Sequence, residues 1–241
     1  MKNIIVVIPS RYASKRLPGK PLRLIKNKPL IYWTWKNIVK VINKNQVYVA
    51  TDSEKIVVEC KKVGIQTLKT SSKCKTGTDR VAETAHLFKK KILVSIQGDE
   101  PFLKKKYIKQ FLNFAEKNKN FVTNAYTEIK IESQYKSLNI PKVVLSKNNF
   151  LMYMSRSPIP GSKKNIFNKS FKQVCMYGFP QIILKKFFGI SKNKSKIEKI
   201  EDIEILRFIE NNVPVKMIRL GDNILSVDTI QDLKKANQLM F

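Results

Sequence analysis

Arg11, Lys15, Arg16, Gly19 and Lys20 crowd one short segment directly after the apolar run of residues 4–8. Such a loop concentrates cations, flexible backbone and free N–H groups, a combination suited to a polyphosphate. It is not a P-loop, because neither GxxxxGK[ST] nor GxGxxG occurs in the chain; the competing reading is a plain charged surface loop. Further along, Gln97-Gly98-Asp99-Glu100-Pro101 puts a carboxylate at the end of another apolar run, just past a glycine that lets backbone approach a ligand closely. Asp228 ends a third such run. Mg²⁺ is usually held by one or two carboxylates together with substrate phosphates, so Asp99 and Asp228 form a candidate metal pair. Alternatively, Asp99 is a turn residue and Asp228 caps a helix that begins beyond Thr229.

Other chemistries have less material. The single histidine, His86, sits in a helical stretch as a surface or partly packed residue, which removes mechanisms built on a histidine paired with a second histidine or a cysteine. Cys60, Cys74 and Cys175 are odd in number, widely spaced and free of any CxxC pair, so a zinc site is not expected and the cysteine usage fits a reducing compartment. No run reaches the length of a membrane span, and the first apolar segment is too short for a signal peptide; a cytoplasmic protein without membrane insertion is expected.

The 47 Lys+Arg against 18 Asp+Glu give a formal charge of +29, which raises the question of a polyanionic partner. Of those cations 40 are lysine and only 7 arginine, spread along the chain with no interleaved aromatics in runs such as 89–91 and 104–106. Specific phosphate and base recognition favours the planar fork of arginine. A solvated basic surface without specific nucleic-acid binding is therefore expected.

The elements that must hold these residues alternate. Residues 4–8, 47–51, 65–68 and 92–96 read as strands, and 30–41, 54–63 and 79–88 as helices between them. That order predicts an α/β, Rossmann-like fold, with a mostly parallel sheet and helices on both faces. Ligands bind such sheets at the carboxyl ends of the strands, so residues 10–21, 51–52, 71–80 and 97–101 become candidate walls. From 121 onward the alternation fails, with strand-like pieces at 121–129, 142–145 and 150–154, and a smaller inserted lobe over about 121–175 is expected within a single domain, 1–241. A helix over 196–211, with Ile197, Ile200, Ile203, Leu206 and Ile209 as its core stripe, a strand at 213–218, a turn at 221–222, the segment 225–228 and a helix over 229–240 complete the chain.

Seven ordered motifs resemble one family. The stretch from Arg11 to Leu22, then Ala50-Thr51-Asp52, Thr76-Gly77-Thr78-Asp79-Arg80, Gln97 to Pro101, Lys142-Val143-Val144, Ser155-Arg156 and Val227-Asp228-Thr229 are similar to the 3-deoxy-manno-octulosonate cytidylyltransferases, or CMP-Kdo synthetases. The resemblance implies a Mg²⁺-dependent nucleotidyltransferase of the nucleotide-diphospho-sugar transferase fold. It would join CTP to a 2-keto-3-deoxy sugar acid, release pyrophosphate, and serve lipopolysaccharide or surface-glycan synthesis, as a homodimer through the inserted lobe. By likeness, Arg11 and Lys20 hold the phosphates, and Ala13, Ser14, Thr78, Arg80 and Gln97 complete the nucleotide site. Asp99 and Asp228 bind the metal, with Arg11, Lys20 and Asp99 as the catalytic group. Arg156, Gln173, Tyr177, Glu201 and Glu204 face the sugar.

Two departures stand out. The family's His-x-Gly-x-Tyr segment reads Gln173-Val174-Cys175-Met176-Tyr177 here, and its Glu-Gln-Leu-Arg reads Glu204-Ile205-Leu206-Arg207. A pocket that has exchanged a polar group for Ile205 is expected to disfavour Kdo against a relative with an altered substituent, such as an amino-Kdo or a nonulosonic acid. An inactive nucleic-acid-binding homologue is the remaining alternative, against which the intact Arg11, Lys20, Asp99 and Asp228 argue.

Overall fold

The structure, a computed structural model, describes residues 1–14, 17–89, 91–164, 166–167, 169–189, 192–221 and 226–240. Of the residues singled out from the sequence, Lys15, Arg16, Lys90, Asp222 and Leu225 lie outside that set.

The chain begins with β1 (Ile4–Ser10), the hairpin β2 (Leu24–Ile25) and β3 (Lys28–Pro29), and α1 (Leu30–Val39), followed by β4 (Val47–Thr51), α2 (Glu54–Lys62), β5 (Gln66–Lys69), α3 (Gly77–Thr84) and β6 (Ile92–Ile96). After α4 (Lys105–Lys117) come β7 (Val122–Ile129), α5 (Glu132–Lys136), β8 (Lys142–Leu145), β9 (Leu151–Ser155) and β10 (Ser170–Pro180). The C-terminal part holds α6 (Gln181–Phe187), α7 (Lys196–Glu201), α8 (Leu206–Glu210), β11 (Val215–Arg219) and α9 (Ile230–Leu239).

The main sheet runs β11-β7-β10-β6-β1-β4-β5, parallel throughout except that β10 lies antiparallel to both β6 and β7. Every residue of β1 is buried, as expected for a central strand covered on both faces. Its side chains divide by the period of two: Ile4, Val6 and Ile8 pack with Ile38, Ile56 and Phe111 from α1, α2 and α4, whereas Ile5 and Val7 pack with Val81, Leu184 and Phe208 from α3, α6 and α8. Each such side chain, fully buried, contributes about 1.5–3 kcal/mol. Helices therefore cover both faces of a mostly parallel sheet, and the expected architecture is present.

The residues 121–175 expected as an inserted lobe include two strands of the main sheet, since β7 pairs with β10 and β11. What departs from it is residues 130–169, with α5, β8 and β9; β8 remains tied to β10 through Phe171 and Lys172. The eleven-residue β10 was not foreseen as a strand, and neither was α4 as a helix, although Ile108, Phe111, Leu112 and Ala115 have helical spacing and are buried.

The single helix expected over 196–211 is instead two short ones, broken at Asp202, which adopts left-handed φ/ψ of 49° and 47°. Residues three apart are displaced by about 60° on a helix surface, so five of them in strict i+3 spacing wind off any one face. Breaking the helix lets Ile203 and Leu206 bury while Ile200 stays 74% exposed.

The break is held by charge. The Arg207 guanidinium donates from Nε and Nη2 to the Glu198 carboxylate, at 2.6 and 2.8 Å, and from Nη1 to Asp79 at 3.4 Å, all three groups being buried. Asp79 in turn completes the capping box of α3 with Thr76. Removing one partner from a buried charge set leaves the others uncompensated, so Arg207→Met is expected to lower unfolding stability by about 3–5 kcal/mol. Urea unfolding monitored by tryptophan fluorescence measures it, and a loss below about 1 kcal/mol would show that the cluster is solvated.

Candidate active site

The carboxyl ends of the neighbouring strands β1 and β6 open into a cleft of about 710 Å³. A smaller recess of about 260 Å³ shares Pro9, Ser10, Arg11, Gln97, Asp202 and Glu204 with it. Both therefore lie where an open α/β sheet presents its ligand.

The loop after β1 turns back at Gly19, whose φ of 66° is left-handed and favours glycine; its amide donates to the Tyr12 carbonyl at 3.1 Å. A 3₁₀ turn at Lys20–Leu22 follows, with Pro21 fixing φ at its second residue, and the Lys20 side chain reaches the end of β6. There the Lys20 Nζ donates to Asp99 Oδ2 at 2.6 Å and to Asp228 Oδ1 at 3.0 Å. Burial by itself would lower the Lys20 pKa, but the two carboxylates outweigh it and hold the ammonium above its ordinary value.

Three residues distant in sequence thus meet at one point. Asp99 is brought close to Asp228 by the Val227 amide, which donates to the Asp99 carbonyl at 2.9 Å. Helix α9 is capped by Thr229, whose hydroxyl accepts the Asp232 amide, so the N-cap is Thr229 and not Asp228. Gly98 is close-packed against the chain itself, as a Cβ there would lie 3.1 Å from Ser10 Oγ.

Two hard oxygen donors that already share one cation fit a divalent ion such as Mg²⁺, which takes few protein carboxylates and fills its shell with phosphate and water. Among the described residues no group of three or more His, Cys, Asp or Glu forms a closed metal cage. Glu100, beside the pair, is 4% exposed, its Oε2 has no hydrogen-bond partner among the described residues, and burial together with the Asp99 and Asp228 charges pushes its pKa up to about 8.

The smaller recess is lined by Arg80, Thr76, Gly77, Cys74 and Lys75. Arg80 is braced from behind by an ion pair to Asp52 at 3.2 Å and a hydrogen bond to Thr70 Oγ1. Glu204 accepts from the Gly77 and Thr78 amides at 3.2 and 2.8 Å, so a carboxylate of the chain itself occupies the first two amides of α3. Burial raises the Glu204 pKa, against the opposing effect of the hydrogen bonds from Thr78 and Gly77.

At the far end of the larger cleft, Gln173, Cys175 and Tyr177 occur at period two on one face of β10 and line it, opposite Arg156, Leu138 and Asn139. Burial raises the pKa of Cys175, as do the Glu100 and Asp99 charges. Burial also carries the Tyr177 pKa well above its ordinary value, and Cys175 adds to the shift. The Arg156 guanidinium donates to three carbonyls, those of Glu201 at 2.6 Å, Asp202 at 3.0 Å and Leu138 at 3.1 Å.

Of the residues named from the sequence, Arg11, Gln97 and Glu204 line both cavities, Arg80 lines the smaller one, and Ser14, Lys20, Asp99, Arg156, Gln173, Tyr177 and Asp228 line the larger one. Ala13, Thr78 and Glu201 line neither. Thr78 is buried with its amide on Glu204, and Glu201 braces the lobe by accepting from Ser155 Oγ at 2.7 Å and the Arg156 amide at 2.8 Å. Ile205, expected to have changed the sugar pocket, is 1% exposed in the apolar core and does not line the cleft; its neighbour Ile203 does. Lys194 and Asp202, which do line the recess, went unnoticed because they carry no local motif, whereas Cys74 falls in the 71–80 wall expected from the sequence.

The family model for cytidylyltransferases matches residues 5–218. The chain belongs to that family. Similar curated proteins include the 3-deoxy-manno-octulosonate cytidylyltransferase of Thermodesulfovibrio yellowstonii, 35% identical over 98% of this chain and 97% of that one. Another is the enzyme of the same name from Fusobacterium nucleatum, 33% identical over 95% and 94%. Among solved structures, CMP:2-keto-3-deoxy-manno-octonic acid synthetase complexed with CTP superimposes with a TM-score of 0.88, at 28% identity over 98% and 97% of the two chains. A glucose-1-phosphate thymidylyltransferase from Bacillus anthracis, with a TM-score of 0.70 and 15% identity, shares the fold.

The shared ammonium of this cytidylyltransferase is open to a direct test. Lys20→Met removes the ammonium that Asp99 and Asp228 share. Its melting temperature is expected to fall in chelator-containing buffer and to recover with millimolar MgCl2, while the wild type changes little; differential scanning fluorimetry reads both. Identical Mg²⁺ responses in the two proteins would show that the carboxylates do not share a cation.

Proposed function

We propose that this cytidylyltransferase joins CTP to 3-deoxy-manno-octulosonate, releasing pyrophosphate and giving the CMP-sugar, an activated sugar for lipopolysaccharide or surface-glycan synthesis. The observation that carries the reading is the meeting of Lys20, Asp99 and Asp228 in a cleft with the recess of about 260 Å³ on one side and Arg156 on the other. The relatives named for this activity match nearly the whole chain.

In such a transfer the anomeric hydroxyl attacks the α-phosphorus in line and pyrophosphate leaves, so catalysis is mostly positioning and charge neutralisation. Arg11 and Lys20 bind the triphosphate; Lys20 exchanges its carboxylate partners for phosphate oxygens as the nucleotide enters. Asp99 and Asp228 would hold Mg²⁺, which when bound would supply further neutralisation of negative charge. Arg80 and Gln97 orient the nucleoside in and beside the recess, their rigidity supported by the Asp52 and Thr70 contacts behind Arg80. Arg156 retains N–H groups beyond those given to the three carbonyls, so it receives the sugar carboxylate with its guanidinium already oriented. Gln173 and Tyr177 face the sugar hydroxyls from β10.

Pyrophosphate release from CTP and Kdo, with the CMP-sugar identified by mass spectrometry, tests the reading; a panel of other ulosonic acids run beside Kdo reads the acceptor preference. Turnover of none of them would overturn the proposal. Asp99→Asn is expected to lower kcat by about 100-fold or more at saturating Mg²⁺, with an unchanged circular-dichroism spectrum. A variant within about tenfold of wild type, about 1.4 kcal/mol in barrier, would leave Asp99 a turn residue.

The assembly we propose is a homodimer through the 130–169 lobe, supported by the exposed apolar side chains of Ile131, Leu138 and Met152. Sedimentation velocity is expected to give a dimer that Met152→Glu weakens. A monomer at micromolar concentration would remove this part of the proposal.

A further inference from the structure

Lys142 is 0% exposed, one of the largest fully buried side chains of the chain and a charged one. It starts β8, paired in register with Ser155, the last residue of β9. Its Nζ donates to the Ser137 carbonyl at 2.8 Å and to the Arg156 carbonyl. Burial lowers its pKa, as does the Arg156 charge, against the opposing Glu201 carboxylate. Burying an ammonium is costly unless it is well bonded, and a hydrocarbon would fill the same space at less cost. A lysine at this place therefore reflects what its head group holds together.

What it holds is one end of the cleft. Leu138, Asn139 and Pro141 line the cleft beside Arg156. The connection from α5 to β8 is tied to the end of β9 by two adjacent carbonyls: Ser137 accepts from Lys142, and Leu138 accepts from the Arg156 guanidinium. One cation thus fixes the main chain of Arg156 and, through the 137–138 carbonyls, one of the three acceptors that orient its side chain. Glu201 fixes the Arg156 amide from the other side.

We propose that Lys142 is a positioning residue for the sugar acid: it does not touch the substrate but locks the 137–141 wall and the Arg156 guanidinium into the geometry that receives the carboxylate. The inference rests on the reading of Arg156 as the carboxylate partner. Without the ammonium, the Ser137 and Arg156 carbonyls lose their common donor and the wall separates from β9. The nucleotide recess, lined from α3, the ends of β1 and β6, and Lys194, Asp202 and Glu204, shares no bond with Lys142 among those described.

The experiment is steady-state kinetics on the full chain with CTP and Kdo varied in turn, together with CTP affinity by calorimetry, for wild type, Lys142→Met, Lys142→Gln and Arg156→Ala. Lys142→Met and Lys142→Gln are expected to raise the sugar-acid KM by about tenfold or more, with CTP affinity within about twofold of wild type. The shorter Lys142→Gln, whose amide cannot span both carbonyls, keeps a polar head at the site should the Met variant fail to fold. A merely structural role would move both substrates together or only the melting temperature, and either result overturns the proposal. Arg156→Ala separates the two levels: if it raises the sugar-acid KM while the Lys142 variants do not, the positioning role falls and the reading of Arg156 stands; if Arg156→Ala has no effect, both fall.

Discussion

Two carboxylates brought within reach of the same atom repel each other unless a cation lies between them. That constraint organises the cleft. Asp99 comes from the end of the central strand β6, Asp228 from the segment before α9, and Lys20 from the turn after β1. Joining them draws the C-terminal helix over the mouth of the sheet, where Val227 and Ala236 share a small apolar cluster with Leu17, Ile25 and Leu30. The ammonium is thus the pin that bridges the acidic pair at the end of β6.

Around that point the chain supports each polar group from behind. Arg80 leans on Asp52 and Thr70, Glu204 on the α3 amides, Arg156 on three carbonyls, and α3 itself on the Asp79, Arg207 and Glu198 cluster. These braces restrict rotamers before substrate arrives, which lowers the ordering cost of binding and favours a site that acts by position. Among the described residues, Glu100 Oε2 and Ser10 Oγ in the cleft wall are buried without a hydrogen-bond partner. A buried polar atom left unpaired costs about 1–3 kcal/mol, so the wall at the ends of β1 and β6 is the least satisfied part of the cleft.

The antiparallel β10 explains how one sheet serves two substrates. A wholly parallel sheet directs all its carboxyl-end loops to one edge. By reversing direction between β6 and β7, β10 brings the period-two row Gln173, Cys175 and Tyr177 against that edge without a loop, giving the second half of the cleft a rigid strand for a wall. Strands β8 and β9 extend it and carry Arg156.

Much of this was legible in the residues alone. The buried runs of β1, β4 and β6, the basic loop, the carboxylate after Gly98 and the carboxylate before Thr229 are local signals: each depends on spacing over a few residues, and hydrophobic period and turn chemistry act at that range. Local period misled where it was ambiguous. The strict i+3 stripe of 196–211 read as one helix, but its residues cannot share a face, and burial of Ile203 and the Glu198–Arg207 pair decided for a break at Asp202. Ile205 read as a lost pocket contact and proved to be core, because the direction of a side chain at a helix start is set by what packs on it. Strand β10 joined the sheet through partners at residues 92–96 and 122–129, and Lys142 found its carbonyls at Ser137 and Arg156. The sequence by itself determined which chemistry was present and roughly where each element began; which distant groups share a charge, a wall or a buried donor was decided by tertiary packing, because those energies depend on burial and on partners that adjacency in the chain does not specify.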